Sequence, residues 1–171
     1  SPNEIKEVDK LILPGVGSFD HGVEQLSKGD WINNLNDYVN QENIILGICL
    51  GMQLMCNSSQ EGKLKGLGWI NADVQKFQFE ANSNLKIPHM GWEDLNIKNE
   101  SDLFKMNDES RFYFVHSYHV VCNIPSIETS SVDYGQEITT SFQCGNIYGV
   151  QFHPEKSHKF GKEFFKRFIL I

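Results

Sequence analysis

The sequence predicts a single α/β domain with a central, mostly parallel sheet that is flanked by helices and carries some antiparallel strands. Two apolar segments, 11–13 and 43–48, are typical of buried strands, and each is followed by residues with helical periodicity. Strand, helix, strand and helix at these spacings indicate parallel strands joined by crossover helices. Later segments, which alternate weakly or are rich in aromatic and β-branched residues, add the antiparallel strands.

Length and composition limit the possible classes of function. The 171 residues suffice for one domain with a substantial core, and no linker, repeat or low-complexity segment divides residues 1–171. A net charge of −7 without any Lys/Arg-rich run argues against nucleic acid as a partner. No apolar run is long enough to cross a bilayer, so no membrane partner is expected. The four cysteines form no C-x-x-C pair, which favours free thiols in a reducing, cytoplasmic compartment.

The first half of the chain alternates strands and helices. The strand over 11–13 is expected to stop at Pro14, and Ser18 is placed to cap a short helix. A second helix follows over 31–39, where apolar residues repeat at helical spacing. The second strand then runs directly into a helix over 50–57, so the chain turns sharply between them.

The second half of the chain is richer in strands. Residues 67–79 and 111–122 predict extended, antiparallel segments, whereas 87–95 is expected to be irregular because it contains a proline and a glycine. Residues 146–155 predict a further strand that ends at a proline. A last helix from Lys159 onward carries apolar residues at helical spacing, which predicts core packing rather than a binding surface: Phe160, Phe164, Phe165, Phe168 and Ile169.

Cys49 lies in the pattern G-x-C-x-G, from Gly47 to Gly51, between the second strand and its helix. In the serine version of this pattern, a strained turn exposes a nucleophile at the end of a sheet. The glycines would be required because such a turn brings backbones too close for a Cβ atom. We expect the helix N-terminus to lower the pKa of the Cys49 thiol. On the pattern alone, a buried and inert cysteine is the alternative.

His153 and Glu155 supply the partners that a nucleophilic thiol needs. They stand two residues apart at the end of a predicted strand, so their side chains project to the same side. The carboxylate could fix the imidazole tautomer, and the histidine could then act as a base. A metal site built from His116, His119 and His153 lacks paired acidic ligands, and no metal is expected.

The segment PGVG at 14–17 follows the first strand and precedes a helix. It matches neither glycine-rich phosphate-binding pattern, so a phosphate site is not expected. Its exposed backbone N–H groups, with the N–H of Leu50, could instead stabilise an oxyanion. The alternative is a plain tight turn.

Four motifs in this order, LPGVGSF, GICLGMQLM, FVHSYHV and GVQFHPEKS, closely resemble those of class I (triad) glutamine amidotransferases. PHMGW and FYFVHSYHV are similar to the glutaminase subunit of imidazole glycerol phosphate synthase, in histidine biosynthesis. The resemblance covers nearly the whole chain and implies the flavodoxin-like fold of that family. It implies glutamine hydrolysis through a cysteine thioester, with Cys49 as nucleophile, His153 as base and acid, and Glu155 as its orienting group. It implies no cofactor.

The resemblance also implies binding positions and a partner. L-glutamine would be the substrate, and a synthase or cyclase partner with a (βα)8-barrel fold would receive the ammonia. In this family the oxyanion loop of the free glutaminase is often completed only when the partner binds. The oxyanion loop falls on Gly15, Val16 and Gly17. The glutamine-binding positions fall on Gln53, His116, Ser117 and Tyr118. The partner-contacting segment includes Met90 and Trp92.

One departure from the family pattern and two alternative functions remain open. Family members begin with a further strand and helix, so the chain is expected to lack that unit. FVHSYHVVC and EKSHKFG are also similar to paralogues that supply ammonia for an amino or amidino sugar of surface polysaccharide. The additional histidines and Cys122 point toward these paralogues. A stand-alone Cys-His hydrolase of similar fold is the alternative from another class, and it would act without a partner.

Overall fold

The computed structural model describes residues 1–80 and 83–171 as one α/β structure. Its α-helices are α1 Phe19–Leu26, α2 Trp31–Asn40, α3 Leu50–Leu54 and α4 His158–Leu170. Its strands are β1 Lys10–Gly15, β2 Ile44–Cys49, β3 Ser58–Ser59, β4 Ala72–Lys76, β5 His89–Asp94, β6 Asn96–Ile97, β7 Arg111–His116, β8 Tyr118–Cys122, β9 Glu128–Asp133, β10 Glu137–Cys144 and β11 Ile147–Val150. Within the described ranges, none of the helices has the length and apolar character needed to cross a membrane.

The main sheet is mixed, and its parallel part carries the predicted nucleophile. The strand order is β1-β2-β11-β10-β8-β4-β3, with β9 on β10 and β6 on β9, and a separate two-stranded sheet joins β5 to β7. β1, β2 and β11 run parallel, as do the short β3 and β4, whereas the other pairs are antiparallel. The predicted α/β fold, with parallel and antiparallel strands, is confirmed.

The register of the three parallel strands brings their carboxyl ends together. Gly15 at the end of β1 is paired with Cys49 at the end of β2, and Val150 at the end of β11 is paired with Ile48. Loops that leave this edge are where open α/β sheets hold their chemistry. The PGVG turn, the cysteine turn and the segment after β11 therefore meet at one edge.

Alternate residues of β2 point into two different apolar cores. Ile45 packs with Leu35 of α2 in one core, and Leu46 packs with Phe164 of α4 in the other. This period of two is expected of a strand that is covered on both faces. In α4, Phe164 and Phe168 are buried as predicted, but Ile169 is 67% exposed, so its assignment to the core was wrong.

Four predicted elements differ from the structure. The strand predicted over 146–155 is β11, which ends at Val150, and Pro154–Lys156 form a short 3-10 helix. β1 continues through Pro14, which is tolerated because β1 is hydrogen-bonded on one side only among the described residues. α3 ends at Leu54, before the predicted residue 57, because the N–H of Asn57 turns to the carbonyl of Ala72. Residues 89–94 form the regular strand β5 rather than an irregular loop, because β7 supplies an antiparallel partner along its whole length.

Candidate active site

Cys49 occupies a sharp turn that only flanking glycines permit. Its backbone has φ 53° and ψ −113°, an unusual conformation for a residue with a side chain. A Cβ on Gly51 would lie 1.8 Å from the carbonyl oxygen of Leu13, and one on Gly47 would lie 2.7 Å from the amide of Met52. The strand-to-helix turn predicted from G-x-C-x-G is therefore present, and its glycines are required sterically.

The thiol of Cys49 is held in its neutral form. Burial raises the pKa of the Cys49 thiol to about 11, although the Leu50 N–H and the Gln151 side chain both favour the thiolate. The predicted lowering by the helix N-terminus was wrong, because α3 is only five residues long and burial outweighs it. Ionisation of this thiol at neutral pH consequently requires a neighbouring base.

His153 and Glu155 form an oriented pair at the start of the 3-10 helix Pro154–Lys156, three residues after β11. The Nδ1 atom of His153 lies 2.6 Å from Oε1 of Glu155. Its backbone is fixed as well, because its N–H donates to the carbonyl of Tyr113 and its carbonyl accepts from the Ser157 hydroxyl. Within the described part of the chain, the buried Nε2 of His153 has no hydrogen-bond partner. With Nδ1 donating to the carboxylate, Nε2 carries the lone pair and can accept a proton.

A cavity of about 390 Å³ contains Cys49 and His153 in its wall. Seven of the residues predicted for binding also line it: Val16, Gly17, Leu50, Gln53, His116, Ser117 and Tyr118. Gly15 lies outside the lining, beside Cys49 in the sheet, and Glu155 lies behind His153. The fold thus brings residues from four distant parts of the sequence to one space.

The residues predicted to contact a partner lie on β5, outside the cavity. Met90 is 60% exposed. Trp92 is half-buried and stacks on the imidazole of His158, with ring centroids 5.5 Å apart and planes at 6°. Met90 therefore presents a free apolar side chain, whereas Trp92 already has an intramolecular neighbour.

Four residues that line the cavity were not predicted from the sequence. Glu61 and Lys156 bring opposite charges to the cavity, which Pro88 and Val115 also line. Glu61 accepts a hydrogen bond of 2.8 Å from the N–H of Phe19, the first residue of α1. No short motif marks Glu61, which lies in the turn after β3. Lys156 lies inside the recognised motif GVQFHPEKS. Its position next to the His-Glu pair could have predicted that it lines the cavity.

The glutamine amidotransferase class-I family model matches residues 2–171. The chain belongs to the class-I glutamine amidotransferase family. It is 51% identical over 172 residues to imidazole glycerol phosphate synthase subunit HisH 2 of Methanococcus maripaludis, covering 98% of this chain and 83% of that protein. It is 43% identical to the HisH 2 subunit of Pseudomonas aeruginosa, covering 99% and 84%. The family recognised from the four motifs is confirmed.

Solved structures agree with the fold of this amidotransferase. The glutaminase domain of CTPS from Trypanosoma brucei has a TM-score of 0.63 at 17% identity, covering 97% of this chain and 73% of that one. PurLQS from Thermotoga maritima has a TM-score of 0.70 at 18% identity, covering 95% and 79%. At these identities the likeness concerns the architecture alone. It confirms the α/β amidotransferase fold.

Proposed function

We propose that this amidotransferase is the glutaminase subunit of an imidazole glycerol phosphate synthase and supplies ammonia in histidine biosynthesis. One observation carries the chemistry: the buried thiol of Cys49 and the Nε2 of His153, which has no partner among the described residues, line one cavity with charges suited to an amino acid. The pathway is supported by relatives at 39% to 51% identity, matched over 98% of this chain, that carry the HisH name.

In the first step, Cys49 transfers its proton to Nε2 of His153, and the sulfur attacks the side-chain carboxamide of glutamine. The C–N bond of the tetrahedral intermediate breaks, and the same proton leaves with the nitrogen as ammonia. This forms a glutamyl thioester on Cys49. His153 then removes a proton from water, which attacks the thioester and releases glutamate, and the thiol recovers its proton. Glu155 keeps the imidazole in the required tautomer throughout.

The oxyanion that forms in each step needs backbone donors. The Leu50 N–H faces the thiol, where it favours negative charge, and the loop 15–17 lies beside it at the end of β1. A donor of this kind contributes about 3 kcal/mol to comparable acyl transfers. We assign the oxyanion site to Leu50 and this loop.

The charged groups of the cavity match the two charges of free glutamine. The Glu61 carboxylate suits the α-ammonium group, and the Lys156 ammonium suits the α-carboxylate. The Nε2 of Gln53 donates both of its protons to protein acceptors, so Oε1 is the side-chain polar atom that remains for the substrate. Ser117 and Tyr118 also line the cavity.

Ammonia is useful only if it reaches an acceptor before water protonates it. A synthase subunit docked over the cavity would receive it directly, and exposed Met90 and half-buried Trp92 on β5 are the proposed contacts. The relatives named HisH favour this role over a supply of ammonia for a surface sugar. A stand-alone Cys-His hydrolase lacks comparable support.

The experiment is a glutaminase assay of the chain with and without a candidate imidazole glycerol phosphate synthase partner. Cys49→Ala is expected to lower kcat by at least about three orders of magnitude, because it removes the nucleophile. The matched control is Cys144→Ala, which removes an exposed thiol outside the cavity. Unchanged glutamine hydrolysis in Cys49→Ala would refute the mechanism, and indifference to every synthase would refute the proposed role.

A further inference from the structure

The carbonyl oxygen of Tyr118 is the junction of two buried hydrogen-bonded branches. It accepts from Nδ1 of His116 at 2.8 Å and from Nε2 of Gln53 at 3.1 Å. A carbonyl can only accept, so both neighbours must present a proton to it. This single acceptor therefore determines the direction of the hydrogen bonds on either side.

The first branch leads to the thiol. Nε2 of Gln53 gives its second proton to Oε1 of Gln151, at 2.9 Å. The Nε2 of Gln151 must therefore point away from Gln53, and it donates to Sγ of Cys49 at 3.8 Å. Reversing either amide would bring two donors or two acceptors together, which is costly for buried groups. Gln151 itself is fully buried and directly follows the last residue of β11.

The second branch leads to β5. Because Nδ1 of His116 is the donor, its Nε2 carries the lone pair, and Nδ1 of His89 must donate to it across 3.0 Å. His89 and His116 are opposite each other in the pairing of β5 with β7. Both are buried, and burial lowers the pKa of His116 to about 3, which keeps its ring neutral. Neither ring nitrogen of His116 is free for glutamine.

The far side of His89 faces a carboxylate. Its Nε2 lies 3.3 Å from Oε1 of Glu93. Burial lowers the pKa of His89, and Glu93 opposes that change. The ring is also clamped between Phe114 and Tyr134, with centroids 5.1 and 4.0 Å away. The other titratable rings facing this cluster belong to His119 and His153, which act on His116.

We propose that His89 is a positioning residue for the nucleophile and for the substrate-facing amide of Gln53. Its Nδ1 fixes the orientation of the His116 ring, which donates to the Tyr118 carbonyl. That carbonyl orients the amide of Gln53. Gln53 in turn orients Gln151, whose side chain donates to the thiol. His89 begins β5, whose next residue is the exposed Met90, so this chain of hydrogen bonds joins an exposed strand to the cavity. The effect on glutamine rests on the proposed function, whereas the effect on the thiol does not.

The test uses three substitutions. His89→Phe keeps an aromatic ring between Phe114 and Tyr134 but removes the donor. His89→Asn retains a donor near the position of Nδ1 and is the conservative rescue. Gln151→Met keeps length and removes the donor to Cys49. Thermal unfolding of each variant verifies that the chain is folded, and only folded variants are compared.

The first readout is the rate at which iodoacetamide modifies Cys49, followed by peptide mass spectrometry at several pH values. His89→Phe and Gln151→Met are each expected to slow it about fivefold, the effect of losing one net hydrogen bond. His89→Asn is expected to stay within about twofold of the unsubstituted protein. In the double variant the two effects should combine to much less than their product, because both act on one chain of bonds.

Equal rates in His89→Phe and His89→Asn, or fully multiplicative effects in the double variant, would overturn the proposal. The second readout is labelling of Cys49 by diazo-oxo-norleucine, a reactive glutamine analogue. His89→Phe should raise its half-saturating concentration more than it lowers its maximal rate. If the unsubstituted protein is not labelled at Cys49, the proposed function fails, while the iodoacetamide rates still decide the role of His89.

Discussion

Two glycine-containing turns border the cavity, and they differ in how closely other atoms enclose them. The turn at Cys49 is enclosed by backbone, since a Cβ on Gly51 would meet the Leu13 carbonyl at 1.8 Å. Beyond Gly15 the loop leaves the sheet edge: Val16 is 79% exposed, and apart from its chain neighbours no described atom lies within 4 Å of a Cβ placed on Gly17. The proposed nucleophile is therefore positioned by packing, whereas the conformation of residues 16 and 17 depends on their own backbone preferences.

The largest expected effect tests the enclosed turn. Gly51→Ala forces a methyl group into a backbone carbonyl, which cannot move without disrupting the pairing of β1 with β2. We expect the free energy of unfolding to fall by about 4 kcal/mol or more. Chemical denaturation measures it. A loss below about 1 kcal/mol would show that the Cys49 turn is no more constrained than the loop.

The second prediction concerns the reactivity that the enclosed turn imposes on the thiol. Because burial raises the pKa of Cys49 to about 11, its thiolate fraction in the free protein should rise about tenfold per pH unit from pH 7 to about 11. Iodoacetamide modification rates, measured against exposed Cys144 in the same sample, follow this rise. A plateau at or below pH 9 would contradict the burial of the thiol in this turn.

A smaller effect is expected at the loop. Gly17 has φ +100°, where a side chain is strained even though space is free, so Gly17→Ala should cost about 1 to 2 kcal/mol of stability. Glutamine hydrolysis should fall further than stability predicts, because the loop donors move. Unfolding midpoints and kcat are the measurements. Activity that is retained in full would remove this loop from the oxyanion site.

The smallest expected effect sharpens the contrast. Val16→Ala trims a side chain that is mostly in solvent and leaves its backbone N–H in place. Stability should change by no more than about 0.5 kcal/mol. The matched buried substitution is Ile48→Ala in β2, which should cost about 2 to 5 kcal/mol. Similar losses at the two positions, measured by chemical denaturation, would mean that the loop is packed after all.

The sequence was most informative where one strong local constraint decides the structure. G-x-C-x-G between an apolar strand and an apolar run predicts the cysteine turn, and the spacing of His153 and Glu155 predicts their contact, because both depend on neighbouring residues. The strand β5 was missed because Pro88 and Gly91 suggested a loop. Its pairing with β7 depends on a partner strand that is distant in the sequence.

Other features depend on the assembled interior. The pKa of Cys49 follows from how deeply the folded chain buries it, which no local pattern records. His116 was assigned to glutamine by resemblance, yet both its ring nitrogens contact protein atoms, Tyr118 and His89. Glu61 enters the cavity only because its loop returns to the start of α1. Such positions become visible once distant segments are brought together.

At position 49 the backbone conformation lowers stability while it presents the thiol to the cavity. A side chain at φ 53° and ψ −113° costs about 1 to 3 kcal/mol, and the enclosing glycines prevent the turn from relaxing. Glycine at position 49 would avoid that cost and remove the proposed nucleophile in the same change. Stability alone would therefore favour glycine at this position, and the cost at Cys49 is offset only by the reaction proposed for its thiol.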